Sequence, residues 1–434
     1  MLETQKGLFV TTGSNQAIDA INHFHHQILG FGKQAGDILT AASDHPDNLL
    51  IQTYAAIFYL YAQENEATVT AADYLMQAEK QLHNANRREQ LLYHAAVAWQ
   101  RRDFECAIAL FAAVTDLFPR DTLALKFAEW LFYCQGQAYK GHQYLALCEQ
   151  CAGENQDESH FLAMHSFALE LSGHYDKAND MAEQAISMNR LTPWAHHTLA
   201  HVYLLKNDIT GGIKRLQTLQ GSWNDILPLL KGHNTWHLAL FHLAWRDNAA
   251  VSYLFPEIFG TMPDTVSEQI DAISLLWRMD MAGLPQDTLF QSLLPHLKQH
   301  PFEHYTGFNS AHFIYCLVRN GEMKLADTSL KTIEAHARSQ PKGCGQNLWR
   351  NLVFPSCKGI YYFAQQDYKT AQETLAPVIE NYLQMGGSDA QDELFTQTYL
   401  LSLLRTNQKD KAYQFFNRYL KHYQNTPLAE NWFS

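Results

Sequence analysis

Three observations predict that this 434-residue chain is an all-α protein in which antiparallel helical hairpins stack on one another. Apolar residues recur at spacings of three and four, as in residues 91–99, and this is the period of a helix that buries one face. Alternating strand patterns with Asn-Gly or Asp-Gly turns are essentially missing. The breaks between helical segments are short and polar, and loops of that length join antiparallel neighbours.

The helical segments repeat with a period of about 34 residues. Each short polar break is followed by an apolar residue and, three residues later, by a small residue. The pairs are Phe104 and Ala107, Tyr175 and Ala178, Ile209 and Gly212, and Tyr368 and Ala371. With Tyr139 between them, the first three of these breaks are spaced by 35, 36 and 34 residues. A helix–turn–helix unit of this length is the tetratricopeptide pattern, which predicts an α-solenoid superhelix with a concave central groove.

The strength of the period divides the chain into three predicted regions. Residues 1–85 keep the helical pattern with a weaker period, and we expect them to pack on the repeats. Residues 86–340 carry the tetratricopeptide-like repeats and the histidine-rich groove. Residues 341–434 form further helices of the same kind at the carboxyl end. The boundary between the last two regions lies in Gln340–Gly345, which is the best candidate for a connecting loop.

Composition restricts the partners. The formal net charge of −12 argues against a nucleic-acid partner, because binding to phosphates needs a basic face. The first residues lack the basic and apolar regions of a signal peptide, and no uncharged apolar stretch reaches about 18 residues. The seven cysteines are scattered and odd in number, which fits a reducing compartment. We therefore expect a cytoplasmic protein without a membrane or nucleic-acid partner.

Two histidine pairs are the most informative local feature. His197 and His201, and likewise His233 and His237, are four residues apart, so each pair stacks on one face of a helix. Converging imidazoles suit three tasks: ligating a metal, moving protons near neutral pH and hydrogen-bonding a polar ligand. The sequence alone does not choose between these tasks.

The repeat register predicts a ligand-binding groove. It places both pairs on the concave wall, with Trp194, His197 and His201 at exposed positions. The predicted ligand-binding residues are Trp194, His197, His201, His233, Asn234, Trp236, His237, Asn309 and His312. Imidazoles beside indoles suit a peptide or a small polar or aromatic ligand. The alternative is structural, in which each imidazole is buried and hydrogen-bonded to a backbone carbonyl.

A second hypothesis is a metal-dependent hydrolase or oxidoreductase. His197, His201, His233 and His237 are the candidate ligands for a divalent transition metal such as zinc, iron or manganese. His201, His237 and Asp271 are the candidate catalytic residues, with Asp271 as a supporting carboxylate. A metalloprotease helix carries glutamate after its first histidine, whereas Thr198 and Asn234 stand there in this chain, so that mechanism is disfavoured.

Six short strings together resemble the tetratricopeptide repeat protein 38 family. They are residues 87–91, 121–127, 193–202, 233–237, 308–313 and 386–391. The resemblance implies an all-helical, cytosolic tetratricopeptide-like superhelix and implies no particular reaction. The residues that match the family pattern are His197, His201, His233, Asn234, Trp236, His237, Asn309, His312, Ser388 and Gln391. Ser388 follows two glycines and is expected to be the N-cap of a helix.

Overall fold

The computed structural model describes residues 1–340 and 343–434, and this part of the chain is almost entirely helical. The first twelve α-helices are α1 Asn15–Leu29, α2 Asp37–Asp44, α3 Leu49–Leu60, α4 Asn65–Glu79, α5 Arg87–Gln100, α6 Phe104–Leu117, α7 Thr122–Gln135, α8 Gln137–Cys151, α9 Ser159–Leu171, α10 Tyr175–Met188, α11 Pro193–Leu205 and α12 Ile209–Leu219. The next twelve are α13 Pro228–Ala244, α14 Asn248–Ile258, α15 Val266–Met281, α16 Asp287–Leu293, α17 Gly307–Arg319, α18 Met323–Ser339, α19 Cys344–Leu348, α20 Phe354–Ala364, α21 Tyr368–Leu375, α22 Asp389–Arg405, α23 Lys409–Tyr419 and α24 Pro427–Phe433. The all-α prediction is confirmed.

The remaining elements are short. Two-residue strands, β1 Leu2–Glu3 and β2 Phe9–Val10, pair antiparallel. A π-helical turn spans Trp349–Val353. The 3₁₀ turns are Leu82–Asn84, Ala152–Glu154, Gln220–Asp225, Leu294–His296, His300–Phe302, Ile379–Met385 and Lys421–Tyr423. In the loop predicted at residues 340–345, Pro341 and Lys342 lie outside the described residues.

The predicted breaks coincide with helix starts. Helices α6, α10, α12 and α21 begin at Phe104, Tyr175, Ile209 and Tyr368, as the spacing predicts. Helix α8 begins at Gln137, two residues before the predicted Tyr139. The small residues three positions later are buried at helix contacts, as shown by Ala107, Ala178 and Ala371.

A recurring two-residue turn explains these sharp breaks. Its first residue has a left-handed backbone, and its second residue is an aspartate that caps the next helix. The left-handed residues are Arg102, Asn207, Arg246 and Gln366, with φ between 55° and 65°. The caps are Asp103, Asp208, Asp247 and Asp367, whose carboxylates accept hydrogen bonds of 2.9–3.2 Å from backbone N–H groups three residues later. Such a cap stabilises a helix by about 1 kcal/mol, so these turns are locally determined.

The chain divides into two compact units. The first unit contains residues 1–134, 140–199 and 219–230. In it, α3 packs on α4, α5 on α6, and α9 on α10. The second unit contains residues 135–139, 200–218 and 231–434. In it, α15 packs on α17 and α22, and α20 packs on α21. Within the described residues, no helix combines the length and apolar character that crossing a bilayer requires.

Helices α12 and α13 of the second unit approach closely at Gly212. A Cβ atom added there would lie 2.6 Å from the ring of Phe241. That separation is below van der Waals contact, so only glycine fits without movement of the ring.

We expect Gly212→Ala to lower the free energy of unfolding by about 1 kcal/mol or more. Forcing the ring aside costs about 1–3 kcal/mol, which exceeds the gain of roughly 1 kcal/mol in helix propensity. Chemical denaturation measures the difference. Gly221→Ala is the matched control, because a Cβ at Gly221 meets nothing within 4 Å. Equal stability of the two variants would contradict the close contact.

Candidate metal centre

Four helices of the second unit bring polar side chains to one buried place. Helix α11 contributes His201 from its second half, which belongs to this unit. Helix α13 contributes His233 and His237, which lie one turn apart. Helix α15 contributes Asp271, and helix α22 contributes Asp389. The sequence-predicted candidates His201, His237 and Asp271 therefore lie in the same core.

Three imidazoles, His201, His237 and His233, form a continuous row with His237 in the middle. The ring centroids of His201 and His237 are 4.7 Å apart, and those of His237 and His233 are 4.8 Å apart. One ring nitrogen of His201 lies within 4.8 Å of one of His237, which is close enough for a shared metal ion. We call these three residues the imidazole row.

A carboxylate lies beside each end of the imidazole row. Asp389 Oδ1 lies 2.8 Å from Nδ1 of His201, and Asp271 Oδ2 lies 2.9 Å from Nδ1 of His233. Nδ1 of His233 hydrogen-bonds to Asp271, and an ionised carboxylate only accepts, so this Nδ1 carries the proton and donates it. Nε2 of His233 then keeps its lone pair. This arrangement of carboxylate, imidazole and lone pair is the one that orients histidine ligands of metals.

The central histidine is held neutral. Burial lowers the pKa of His237 well below 6.5, and the nearby His201, His233 and Arg278 lower it further. At neutral pH its ring therefore offers a lone pair rather than a second proton. A neutral imidazole is the form that binds a metal.

A buried arginine fixes the start of α22 against α15. One terminal nitrogen of Arg278 donates to the backbone carbonyls of Ala390 at 2.7 Å and Gln391 at 3.0 Å. Its guanidinium carbon also lies 5.3 Å from the ring centre of Trp236. Gln391 donates through its side chain to Asp271 at 3.3 Å. The chain of contacts from Arg278 thus reaches the carboxylate that orients His233.

The predicted N-cap at Ser388 is confirmed. Its hydroxyl accepts from the backbone N–H of Gln391, and the Gln391 side chain accepts from the backbone N–H of Ser388. This reciprocal capping box fixes the first turn of α22. Both residues that the family resemblance selected on this helix are therefore buried and structural.

Three acidic side chains, Asp389, Asp392 and Glu393, follow this cap and form an acidic face. Glu393 accepts from the hydroxyl of Tyr423 at 2.9 Å and pairs with Nε2 of His422 at 2.5 Å. Burial opposes the charge on His422, but Glu393 and Asp389 outweigh it and raise its pKa above 6.5. The negative charge of Glu393 is therefore balanced by the protonated His422.

Asp392 is different, because it is fully buried without such compensation. Among the described residues, neither of its carboxylate oxygens has a hydrogen-bond partner. Burial and the neighbouring Asp389 raise the pKa of Asp392 well above 3.8, against the opposing influence of Arg278. A buried unpaired carboxylate is satisfied by a proton or by a cation. The core around Arg278 therefore contains more carboxyl groups than positive charges.

The other predicted residues occupy different surroundings. Trp194 and His197 stack in the first unit with centroids 4.3 Å apart, and the ammonium of Lys126 lies 3.9 Å from the Trp194 ring. Trp236 stacks on His233 at 5.4 Å. Asn234 of the same helix is also buried.

The two predicted residues on α17 do not join this arrangement in the described structure. Nδ1 of His312 donates to the backbone carbonyl of Phe308 at 2.8 Å, which is the structural role considered for buried histidines. The ring packs against Trp277 and Phe395. Asn309 is buried beside the N-cap of its own helix, where its backbone N–H donates to Thr306. Among the described residues, no candidate metal-ligand group includes His312.

The structure buries side chains that the sequence analysis expected to be exposed on a groove. His197, His201, Trp236 and His237 are each 0–1% exposed. The reason is that α11 and α13 are covered on nearly all sides, so their polar residues face protein rather than solvent. Trp194 and His233 keep partial exposure.

Sequence reasoning missed Arg278, Asp389 and Asp392 as site residues. The acids occupy positions one, four and five of a helix whose following residues are mainly apolar and buried. Carboxylates on one face of such a helix are a signal, because an apolar helix rarely buries acids without a partner. Their partners lie more than 100 residues away, as between Arg278 and Ala390, and so are invisible to local spacing.

Comparison with known families gives no assignment, because the chain matches no protein-family model. Function therefore has to be inferred from the arrangement of the side chains.

We expect His312 to make the stability depend on pH. Burial lowers its pKa to about 3, partly offset by the carbonyl of Phe308, whereas in the unfolded chain it is about 6.5. The unfolded state therefore binds the proton first, so stability is fully present above pH 6.5 and falls as the pH drops towards 3. One such residue contributes a loss of about 2 kcal/mol between pH 7 and pH 5.

His312→Asn tests this expectation, because the amide keeps a donor near the Phe308 carbonyl and does not titrate. Urea unfolding of both proteins at pH 7, 6 and 5 should give a shallower pH dependence for the variant. Parallel curves would contradict a buried neutral His312.

Proposed function

We propose that the imidazole row of the second unit binds a divalent transition metal, zinc, iron or manganese, and that the protein is a metal-dependent hydrolase or oxidoreductase. One observation supports this most: nitrogens of His201 and His237 lie within 4.8 Å of each other, and Asp389 Oδ1 lies 2.8 Å from Nδ1 of His201. Imidazoles beside carboxylates are the usual protein environment of such metals.

The ligand set follows from the helices. His201 and His237 are the central ligands, and His197 belongs to the same helical face as His201, one turn earlier. His233 contacts His237 and extends the row towards Asp271. Ligation by His201 and His237 leaves coordination positions for water, which a divalent metal activates as a nucleophile near neutral pH.

Charge supports a cation in this core. Asp271 contacts His233 and Asp389 lies beside His201, at the two ends of the row, and Asp392 follows Asp389 by three residues on α22. A divalent ion bound at the row offsets the negative charge of Asp271 and Asp389 across a low-dielectric interior.

Binding of a peptide or a small polar or aromatic ligand is the second candidate. Trp194 favours it, since this partly exposed ring stacks on Phe31 at 5.2 Å beside the ammonium of Lys126. The burial of Trp236, His201 and His237 argues against peptide binding at these residues, because a peptide needs a solvent-accessible groove.

We further infer that the hairpins form a tetratricopeptide-like superhelix with a concave groove. The regular helix starts and the buried small residues support this inference. Membership of the tetratricopeptide repeat protein 38 family and a cytoplasmic location without nucleic-acid or membrane partners remain proposals from the resemblance and the composition.

Elemental analysis of the purified full chain tests the metal proposal. We expect about one equivalent of zinc, iron or manganese in the wild type, and a 10–100-fold weaker affinity in His201→Gln, His237→Gln and Asp389→Asn. His94→Gln is the matched control, because His94 is exposed on α5. A metal-free wild type whose melting temperature does not rise with any of the three ions would overturn the proposal.

We expect Asp392→Asn to stabilise the metal-free protein while weakening metal binding. Removing a buried carboxylate without hydrogen bonds should raise the free energy of unfolding by about 1–3 kcal/mol, measured by urea denaturation after chelation. Asp19→Asn is the control, because Asp19 is exposed on α1. Destabilisation of the metal-free variant would show that Asp392 is already satisfied within the protein.

A further inference from the structure

The first unit contains a separate polar cavity of about 240 Å³. It lies among the segment after β1, helix α1 and the start of α9, and its lining includes Lys6, His25, Glu158 and His160. A single water requires roughly 10–15 Å³, so the space fits a small organic molecule. The metal proposal uses none of these residues.

The acidic residues at this cavity are already neutralised. Glu158 pairs with the ammonium of Lys6 at 2.7 Å and accepts from the hydroxyl of Thr122 at 3.2 Å. Asp157 pairs with Arg120 at 2.7 Å. The carboxylates therefore do not leave an unbalanced negative charge facing the cavity.

Two histidines of the cavity, His25 and His160, act as neutral polar groups. Burial lowers the pKa of His25 and of His160 to about 4. Because the hydroxyl of Thr122 donates to Glu158, it accepts from Nε2 of His25 at 3.1 Å, which fixes the proton on that nitrogen. Nδ1 of His160 is buried and has no hydrogen-bond partner among the described residues.

The amino end of α9 opens at the same cavity. Its N-cap residue, Glu158, makes no side-chain cap, and the first helical residues, Ser159 and His160, line the space. The first N–H groups of a helix lack partners within the helix and carry a partial positive charge. With the carboxylates neutralised, this helix end is the positive feature that faces the cavity.

We propose that this cavity binds a small molecule through an oxyanion group, a carboxylate or a phosphate, seated at the amino end of α9. The backbone N–H groups of Ser159 and His160 bind the oxyanion, and the neutral imidazoles contact the rest of the molecule. The cavity with its neutralised carboxylates and the uncapped helix end support this ligand chemistry independently of the metal centre.

Binding of inorganic phosphate and of succinate to the full chain, measured by calorimetry, tests the proposal. Glycerol and ethylammonium serve as neutral and cationic probes of similar size. We expect at least one of the two anions to bind and neither of the other probes to do so. The anion that binds shows whether the site takes a phosphate or a carboxylate.

Ser159→Asp places a competing carboxylate at the helix end. We expect it to weaken anion binding at least tenfold while the melting temperature stays equal or rises, because an acidic residue favours this position. Ser159→Asn is the matched neutral control and should bind within threefold of the wild type. Asn22→Asp, which adds a negative charge on the α1 side, should weaken binding as well. Anion affinity unchanged by both charged variants, or stronger binding of the neutral or cationic probe, would overturn the proposal.

Discussion

The position of one buried guanidinium underlies the polar core of the second unit. Arg278 donates to the backbone carbonyls of Ala390 and Gln391, and so joins α15 to the first turn of α22. From that turn, Gln391 reaches Asp271 and Asp389 reaches His201. Burying a charge is costly unless its partners are well placed, so this contact fixes the geometry on both sides of the imidazole row.

Most of the fold is predictable from the sequence because its turns are encoded locally. Each aspartate cap and the preceding left-handed residue lie within two positions, so the helix starts at Phe104, Ile209 and Tyr368 follow from short patterns. The start of α8 was misplaced by two residues. There the backbone N–H of Gln137 donates to the carbonyl of Gly387, a distant contact that local spacing does not contain.

Only some residues of the candidate site can be predicted from the sequence. The pairs at His201 and His237 are detectable because four-residue spacing places side chains on one helical face. Asp271 was selected with them and does contact His233. Their burial was not predictable, because helices covered on all sides by neighbours still show the same spacing of histidines. The positions of Asp389, Asp392 and Arg278 in the core depend on tertiary contacts, which the local sequence pattern does not contain. Their charged residue types are the only sequence signal for them.

The two-residue turns also bear on the order in which the molecule assembles. Hairpins that close through neighbouring residues have little loop entropy to overcome, so they form early and quickly. The contacts from Arg278 to α22 join residues 112 and 113 positions apart and form only after the intervening hairpins are in place. The imidazoles therefore gain their orienting carboxylates at a late stage. A nascent chain on the ribosome lacks this arrangement until α22 has been synthesised and has folded against α15.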